Sequence, residues 1–345
     1  MEYIRPTYVP IIKSTDAELK GYSYLGEDVK AATTPVFELT RSRRSKNAPD
    51  GNIHRRMEQI SEIVKDIPFI LDLTAHEDLS NDQIDDLLDE TGGFQNWIEF
   101  LGEYPDLNIV PAIHFYEDTH ESVIKQEVQQ LLSNHTKLAL RVQPDDSSIN
   151  DYLEIIRSVL TSDDQLILVF DADYIIEEEY QKILEQIVER YQDLPVGFEP
   201  WSIVVCASSF PASVVQLSGC YDDHGTIPLL EKKLHLDLKG KGYWICYGDY
   251  ASVHPKRYQA RGGTWVPRVD ISLNDSIIYT RYRRQAGGYV RAAKEMIAHP
   301  RYSSFDCWGH EQVRQAAEGN PGGLSPSFWI AVRMNIHMSK HYIAT

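Results

Sequence analysis

The sequence lacks several features that would assign it to a functional class directly. No run of 18 apolar residues occurs, so it predicts no membrane-spanning helix. The opening segment MEYIRPTYVP has no charged region followed by an apolar run, so no secretory signal is expected. Neither a P-loop nor a G-x-G-x-x-G turn after the first predicted strand is found. We therefore expect no nucleotide cofactor.

Cysteine is scarce. The four cysteines, Cys206, Cys220, Cys246 and Cys307, form no C-x-x-C pair. Cys206 and Cys246 lie in apolar, strand-like runs, where a buried free thiol is expected. This usage indicates a reducing compartment, and the predicted location is the cytoplasm.

Positive charge is also in deficit. The 345 residues include 51 acidic and 34 basic side chains, for a net charge of -17. A chain this acidic is not expected to bind nucleic acid through its overall field, and any such binding would need a local basic patch. An acidic surface instead favours a companion protein with a basic surface.

Eight short runs, apolar on both faces, recur along the chain, and most are separated by amphipathic helical patterns. Both faces of a strand are apolar when helices cover a parallel sheet. The runs are YVPIIK from Tyr8, TPVFEL from Thr34, PFILDL from Pro68, NIVPAIHF from Asn108, KLALRV from Lys137, QLILVFD from Gln165, SIVVCASS from Ser202 and GYWICYGD from Gly242. This rhythm predicts an α/β fold, a (β/α)8 TIM-like barrel.

A doubly wound open sheet is the alternative architecture, although its usual phosphate-binding turn is missing. We expect the barrel core to span residues 1–250. Residues 251–345 are expected to form a C-terminal α/β elaboration packed on the barrel, with one further strand in SIIYTRYRRQ, and to include the last barrel helix.

Six polar residues stand near the C-terminal ends of the first six predicted strands. In a closed barrel these ends share one rim, which is where barrel enzymes build their active sites. The six are Lys13, Glu38, Asp72, His114, Arg141 and Asp171. We therefore expect them to lie together at one end of the barrel.

This mixed charge set favours a metal-assisted hydrolase of a phosphoester. Oxygen ligands suit Mg2+ or Mn2+, and the expected metal ligands are Glu38, Asp72, Asp171 and Asp173. His114 would be the general acid or base, while Lys13 and Arg141 would stabilise the developing charge. The alternative is a buried layer of ion pairs that fills the top of the barrel.

Four further residues are candidates for substrate binding. Ser208 and Tyr247 lie near the ends of strands seven and eight. Arg41 opens the basic stretch RSRRSK, which is a solvated loop or a lid that grips phosphate. Arg281 lies in IYTRYRRQ, where alternating aromatic and arginine side chains suit either base stacking or an edge strand.

Two histidines, His337 and His341, are spaced i and i+4 in the last predicted helix. This spacing can create a metal-binding face, but the H-E-x-x-H pattern is absent. We therefore expect both histidines on the helix surface.

Several short motifs resemble those of the beta protein family of T-even phages and bacteria. Tyr8, Pro10 and Lys13 match its opening Y-x-P-x-L-K element, and Pro35 with Glu38 matches a P-L-x-E element. A late W…GN…W…N-x-H pattern is matched by Trp308, Gly319, Asn320, Trp329, Asn335 and His337. The resemblance implies a cytoplasmic protein of phage or bacterial origin, and genome context of such families suggests phage–host conflict.

Two functions follow from these observations. The first is a hydrolase acting on a nucleotide or nucleic acid through the predicted rim site. The second is a non-catalytic binding module, in which the rim holds a protein partner or an anionic ligand. The geometry of the rim separates them: carboxylates that converge on an open point favour the enzyme, and carboxylates already paired with Lys13 and Arg141 favour the module.

Overall fold

The computed structural model describes residues 7–214, 224–256 and 265–342. The strands within these residues are β1 (Tyr8–Lys13), β2 (Val36–Leu39), β3 (Phe69–Leu73), β4 (Ile109–Pro111), β5 (Leu138–Val142), β6 (Leu166–Tyr174), β7 (Ser202–Ser208), β8 (His224–Pro228), β9 (Cys246–Asp249), β10 (Arg268–Ser272) and β11 (Ser276–Arg281).

Eight of these strands form a parallel barrel. Their order is β4-β3-β2-β1-β9-β7-β6-β5, and every neighbouring pair is parallel. The two end strands meet through a parallel bridge between Ala112 and Ala139, where Ile113 N donates to Ala139 O at 2.9 Å. The eight predicted strands and the TIM-like fold are therefore confirmed.

The helices pack through apolar residues against the barrel or against a second, smaller sheet. They are α1 (Asp16–Ser23), α2 (Glu27–Ala31), α3 (Ile53–Val64), α4 (Asp82–Leu87), α5 (Gln95–Gly102), α6 (Glu121–Leu132), α7 (Ile149–Arg157), α8 (Tyr180–Gln192), α9 (Leu230–Gly240), α10 (Gly288–Ile297), α11 (Trp308–Ala317) and α12 (Pro326–His341). In α3, for example, Met57, Ile60 and Val64 are fully buried at a spacing of three and four residues. No helix in the described ranges is both long and apolar enough to cross a bilayer.

Alternate residues of each barrel strand point inward, and their side chains fill the barrel interior. Val9, Ile11, Val36 and Val169 belong to this inner apolar cluster, together with Cys206 and Tyr250. Gly248 has no room for a side chain, since a Cβ there would lie 2.1 Å from Cys206 Sγ. The alternation of inward and outward residues decides which polar groups reach the rim.

A second, antiparallel sheet lies beside the barrel and has the order β10-β11-β8. The predicted strand in SIIYTRYRRQ is β11, whereas β8 and β10 were not predicted. Strand β8 precedes the last barrel strand in sequence, so this sheet takes one strand from the connection between β7 and β9. Helices α10, α11 and α12 cover the sheet around a core that includes Val269, Ile278 and Trp329.

Helix α12 joins the barrel to this second layer through Asn335, which is fully buried. Asn335 Nδ2 donates to Gly21 O of α1 at 3.2 Å, and Gly309 N of α11 donates to Asn335 Oδ1 at 2.9 Å. Gly21 allows this close approach, because a Cβ there would lie 3.0 Å from Ala331 O and from Met334 Cβ. One amide therefore connects three helices.

We predict that Asn335→Leu lowers the free energy of unfolding by about 1–3 kcal/mol, because it leaves a buried amide and a buried carbonyl without partners. The measurement is urea unfolding followed by circular dichroism. Ser327→Ala, at an exposed position of the same helix, is the control and should change the value by less than about 0.5 kcal/mol. An equal effect of both substitutions would contradict this role for Asn335.

Candidate functional site

The six polar residues predicted at the strand ends meet at one rim of the barrel. Each lies on the inward face near the carboxyl end of its strand, and His114 lies just beyond the end of β4. Ion pairs and hydrogen bonds connect them in a continuous chain from Lys13 through Glu38, Arg141 and Asp72 to His114, with Asp171 also bound to Arg141. The predicted clustering is therefore present in the structure.

Arg141 is the centre of this chain. Its Nη1 donates to Glu38 Oε1 at 2.8 Å and to Asp72 Oδ2 at 2.9 Å. Its Nε and Nη2 donate to Asp171 Oδ2 at 2.9 and 2.6 Å. The three carboxylates converge on a guanidinium that the chain itself supplies.

Tyr250 adds a fourth group to the same centre. Arg141 Nη2 donates to the Tyr250 hydroxyl at 3.0 Å, and that hydroxyl donates to Asp171 Oδ2 at 2.5 Å. The Lys13 ammonium lies 5.0 Å from the centre of the Tyr250 ring and 3.7 Å from Glu38 Oε2. Lys13, Glu38 and Tyr250 are all buried, so the network is a packed layer in the top of the barrel.

His114 extends the network between two carboxylates. Its Nε2 lies 3.3 Å from Asp72 Oδ1 and its Nδ1 lies 3.7 Å from Glu127 Oε1 on α6. Burial alone would lower the pKa of His114, but the hydrogen bond with Asp72 and the charges of Asp72 and Glu127 outweigh it and raise the pKa to about 9. His114 is therefore a cation at neutral pH.

Neighbouring cations lower the pKa values of two carboxyl groups in this network. Burial alone would raise the pKa of Asp72, but the hydrogen bond from His114 and the charge of Arg141 lower it to about 2. For Glu38, burial is likewise outweighed by Lys13 and Arg141, and its pKa is lowered. The six rim residues thus comprise three cations, Lys13, Arg141 and His114, and three anions, Glu38, Asp72 and Asp171, while the buried Glu127 is a further carboxylate beside His114.

Three of the four predicted metal ligands take part in these ion pairs. Within the ranges that the structure describes, no group of three or more His, Cys, Asp or Glu side chains is arranged to hold a metal ion. Glu38, Asp72 and Asp171 direct oxygens at Arg141. Asp173, the fourth predicted ligand, pairs with Lys256 at 3.1 Å.

The backbone of the rim is strained at three residues that are not glycine. Asp173 has φ +55°, and Ala251 and Ser252 in the loop after β9 have φ +47° and +62°. The Asp173 amide donates to Asp171 Oδ1 at 3.0 Å, which holds the first of these conformations. Left-handed backbone at such residues costs free energy and is concentrated at functional sites.

The predicted substrate-binding residues lie in separate places. Ser208 ends β7 and its hydroxyl donates to Val253 O at 3.0 Å, so it fixes the loop after β9. Arg41 follows β2, and its Nη2 donates to Asp78 O at 2.8 Å. Arg281 ends β11 in the second sheet, opposite Arg268. The structure does not bring these three side chains together in one pocket.

Tyr247 faces away from the rim. It is fully buried between the barrel wall and the helices, and its hydroxyl donates to Asp249 Oδ2 at 2.7 Å. Residues 246, 248 and 250 are the inward positions of this strand, so Tyr250 is the rim residue. The signal that could have found Tyr250 is this two-residue period, counted from the inward Cys246.

Asp249 forms a second polar centre behind the barrel wall. It accepts from the Tyr8 hydroxyl at 2.6 Å and from the Ala251 amide at 2.7 Å, and it lies 2.7 Å from His337 Nε2. His337 Nδ1 is 2.9 Å from the Ser272 hydroxyl. Burial alone would raise the pKa of Asp249, but His337 and the hydrogen bonds hold it well below the usual range.

The expectation that His337 and His341 lie on the helix surface is wrong, because both are fully buried. The order Ser272–His337–Asp249 is that of a catalytic triad. However, Ser272 is 2% exposed and the other two are 0% exposed. This centre is therefore an internal connection between β9, β10 and α12, and it offers no access to a substrate.

Comparison with known proteins places this geometry in context. A sequence-family model described as "Beta protein" matches residues 8–342. "Protein beta" of Enterobacteria phage P4 is 30% identical over 337 residues, which covers 97% of this chain and 92% of that protein. The spore cortex-lytic enzyme SleL of Bacillus megaterium aligns with 96% of this chain and 74% of its own, at 12% identity and a TM-score of 0.35. A score that low supports no inference.

We predict that Arg141→Met lowers the free energy of unfolding by about 3–5 kcal/mol, because it leaves three partly or fully buried carboxylates without their shared cation. Urea unfolding at neutral pH measures the loss. Lys256→Met is the control: Lys256 is exposed and pairs with Asp173, so its loss should cost less than about 1 kcal/mol. A loss for Arg141→Met no larger than the control would contradict the buried network.

The raised pKa of His114 makes stability depend on pH in the alkaline range. The pKa of His114 is about 9 in the folded chain and about 6.5 for a histidine in an unfolded chain, so its contribution to stability is complete below about pH 6.5. The contribution is lost as the pH rises through about 9. Between these two pH values, the free energy of unfolding of the wild type should fall by on the order of 1–3 kcal/mol more than that of His114→Gln.

The measurement is urea unfolding at several pH values from 6 to 10. His120→Gln, at an exposed histidine, is the control and should keep the pH dependence of the wild type. If His114→Gln also keeps it, His114 is not the titrating group.

Proposed function

The chain belongs to the beta protein family, and we propose that it acts as a non-catalytic binding module whose barrel rim holds a partner protein with a basic surface. The observation that carries the proposal is the hydrogen bonding of Arg141 to Glu38, Asp72 and Asp171. Groups that are paired with each other and buried stabilise a defined surface, whereas a metal-dependent site needs carboxylates with free lone pairs.

The loops above this layer supply the surface for a partner. Strands β4, β5 and β6 are neighbours in the barrel, so the loops that follow them are adjacent on the rim. These three loops carry six exposed acidic residues, which we call the acidic arc: Glu117, Asp118, Asp145, Glu177, Glu178 and Glu179. A basic protein surface is electrostatically complementary to the acidic arc.

The proposed location is the bacterial cytoplasm, in the setting of phage–host conflict. The three cysteines among the described residues are free thiols, which suits a reducing compartment. The phage relative supports the setting.

A metal-assisted phosphoester hydrolase is the second candidate. The strained backbone at Asp173, Ala251 and Ser252 favours it, and the cationic His114 could act as a general acid. In that case Mg2+ or Mn2+ would have to compete with Arg141 for Glu38, Asp72 and Asp171, and with Lys256 for Asp173.

Charge reversal tests the binding proposal. In the natural host, the wild type is cross-linked to its partner protein and the amount of cross-linked partner is measured. The variant Glu117→Lys/Asp145→Lys/Glu178→Lys should yield at least tenfold less of this partner, because it replaces three attractive charges with repulsive ones. Asp66→Lys/Asp106→Lys/Glu199→Lys is the matched control, since these residues are exposed in the loops that enter β3, β4 and β7 at the opposite end of the barrel. It should retain the partner. Equal retention by both variants would contradict the proposal.

Asp171→Asn separates the two candidate functions. For the binding module we expect no rise in the melting temperature of the wild type with Mg2+ or Mn2+, no hydrolysis of bis(4-nitrophenyl) phosphate, and a loss of about 3–5 kcal/mol on substitution. The hydrolase instead requires a metal-dependent rise in the wild type that Asp171→Asn abolishes. That second result would overturn the binding module.

A further inference from the structure

Three arginines lie close together in sequence where the second sheet meets α10. Arg281 ends β11 and is partly exposed, and Arg283 and Arg284 are exposed in the turn that leads to α10. Arg281 and Arg283 flank Tyr282, whose ring is buried in the core of the second layer. These two arginines therefore lie on the side away from that core. We call Arg281, Arg283 and Arg284 the arginine turn.

Positive charge is in excess around the arginine turn. In the part of the chain that the structure describes, no carboxylate forms an ion pair with these three side chains. The carboxylates of the neighbouring elements have other partners. Asp270 on β10 lies 2.8 Å from Arg268 Nε and 3.4 Å from Arg333 Nη1. Glu295 on α10 pairs with Arg291 at 3.9 Å. Three guanidinium groups thus remain for a negatively charged ligand.

The acidity of the whole chain does not cancel this local excess. The net charge of -17 is spread over 345 residues. At physiological salt, exposed charges separated by more than about 8 Å are largely screened from each other. An anion at the arginine turn therefore interacts mainly with the arginines. This is the local basic patch that binding of a nucleic acid to so acidic a chain requires.

An exposed aromatic ring lies beside the arginine turn. Trp265 is 43% exposed, and its Nε1 donates to the hydroxyl of Tyr289, in the first turn of α10, at 3.1 Å. Burial raises the pKa of Tyr289, while the hydrogen bond from Trp265 and the charge of Arg284 oppose that rise, so Arg284 lies near the same hydroxyl. Tyr279 and Tyr282, the aromatic residues of the motif IYTRYRRQ, are buried. The ring that is free to stack on a ligand is therefore that of Trp265.

We propose that the arginine turn and Trp265 bind single-stranded nucleic acid. Guanidinium groups bind phosphate oxygens in a bidentate geometry, and an exposed indole stacks on a base. An acidic protein surface would satisfy the arginines but would offer no base to Trp265. A duplex presents phosphates but keeps its base faces stacked inside. None of these residues belongs to the barrel rim or to the acidic arc, so this binding does not depend on a partner protein at the rim.

Three labelled probes separate the possible ligands: a single strand of about 12 thymidines, the corresponding duplex with adenines, and poly-L-glutamate of similar length. Dissociation constants are measured by fluorescence anisotropy at about 50 mM salt. The single strand should bind most tightly. Equal or tighter binding of poly-L-glutamate would overturn the proposal in favour of an acidic protein, and equal or tighter binding of the duplex would rule out base stacking. No binding of the single strand would overturn it outright.

The salt dependence counts the phosphate contacts. Each contact with a single strand contributes about -0.7 to the slope of log K against log salt concentration, so three arginines should give a slope of about -2. Arg283→Gln/Arg284→Gln should reduce the slope to about -0.7 and weaken binding at least about tenfold at low salt. Both side chains are exposed, so the fold should be retained.

Arg43→Gln/Arg44→Gln is the matched control. It removes the same charge from two exposed arginines in the loop after β2, so it should keep the slope and the affinity of the wild type. An equal loss of affinity in both double variants would show that total charge, rather than the arginine turn, determines binding, and would contradict the proposed location.

Substitution of Trp265 tests the stacking contact. Trp265→Ala should weaken binding of the single strand at least about fivefold, because stacking on one base is lost. The slope of the salt dependence should stay at the wild-type value, since the indole carries no charge. Trp265→Phe keeps an aromatic ring and should weaken binding less. Trp244→Ala, at another exposed tryptophan, is the control and should leave the affinity unchanged. Unchanged affinity of Trp265→Ala would overturn a base contact at this ring.

Discussion

Arg141 joins strands that are not neighbours in the barrel. It belongs to β5, and its hydrogen bonds reach Asp171 on the adjacent β6 but also Glu38 and Asp72 on β2 and β3, across the barrel. Because a guanidinium is planar and has five donors, one side chain can serve three carboxylates at once. The polar rim depends on this cation, since each carboxylate would otherwise be an uncompensated charge in a largely buried layer.

The Asp249 centre has a related role outside the barrel wall. Its two oxygens contact Tyr8, Tyr247, Ala251 and His337, so β1, β9, the loop after β9 and α12 are all bound to one carboxylate. The same loop covers the rim, where Ser208 and Tyr250 hold it from the inner side. Charged groups on both faces of β9 therefore fix the position of the loop that follows it.

The sequence allowed the barrel and the position of the rim to be predicted because both follow from local patterns. Apolar runs locate the strands, and polar residues at their ends locate Lys13, Glu38, Asp72, His114, Arg141 and Asp171. Pairing could not be predicted in this way. His337 and Asp249 are 88 residues apart, and Arg141 and Glu38 are 103 apart. Only the assembled fold shows that a helix histidine is buried, or that the carboxylates face a guanidinium.

The path of β8 has a consequence for synthesis on the ribosome. This strand leaves the barrel after β7 and pairs with β11, whose first residue, Ser276, faces Pro228. The final barrel strand also depends on α12, through the contact of Asp249 with His337. A nascent chain that has produced all eight barrel strands therefore still holds an unpaired strand and an uncompensated buried aspartate. The last barrel strand therefore gains its charged partner only after α12 has been synthesised.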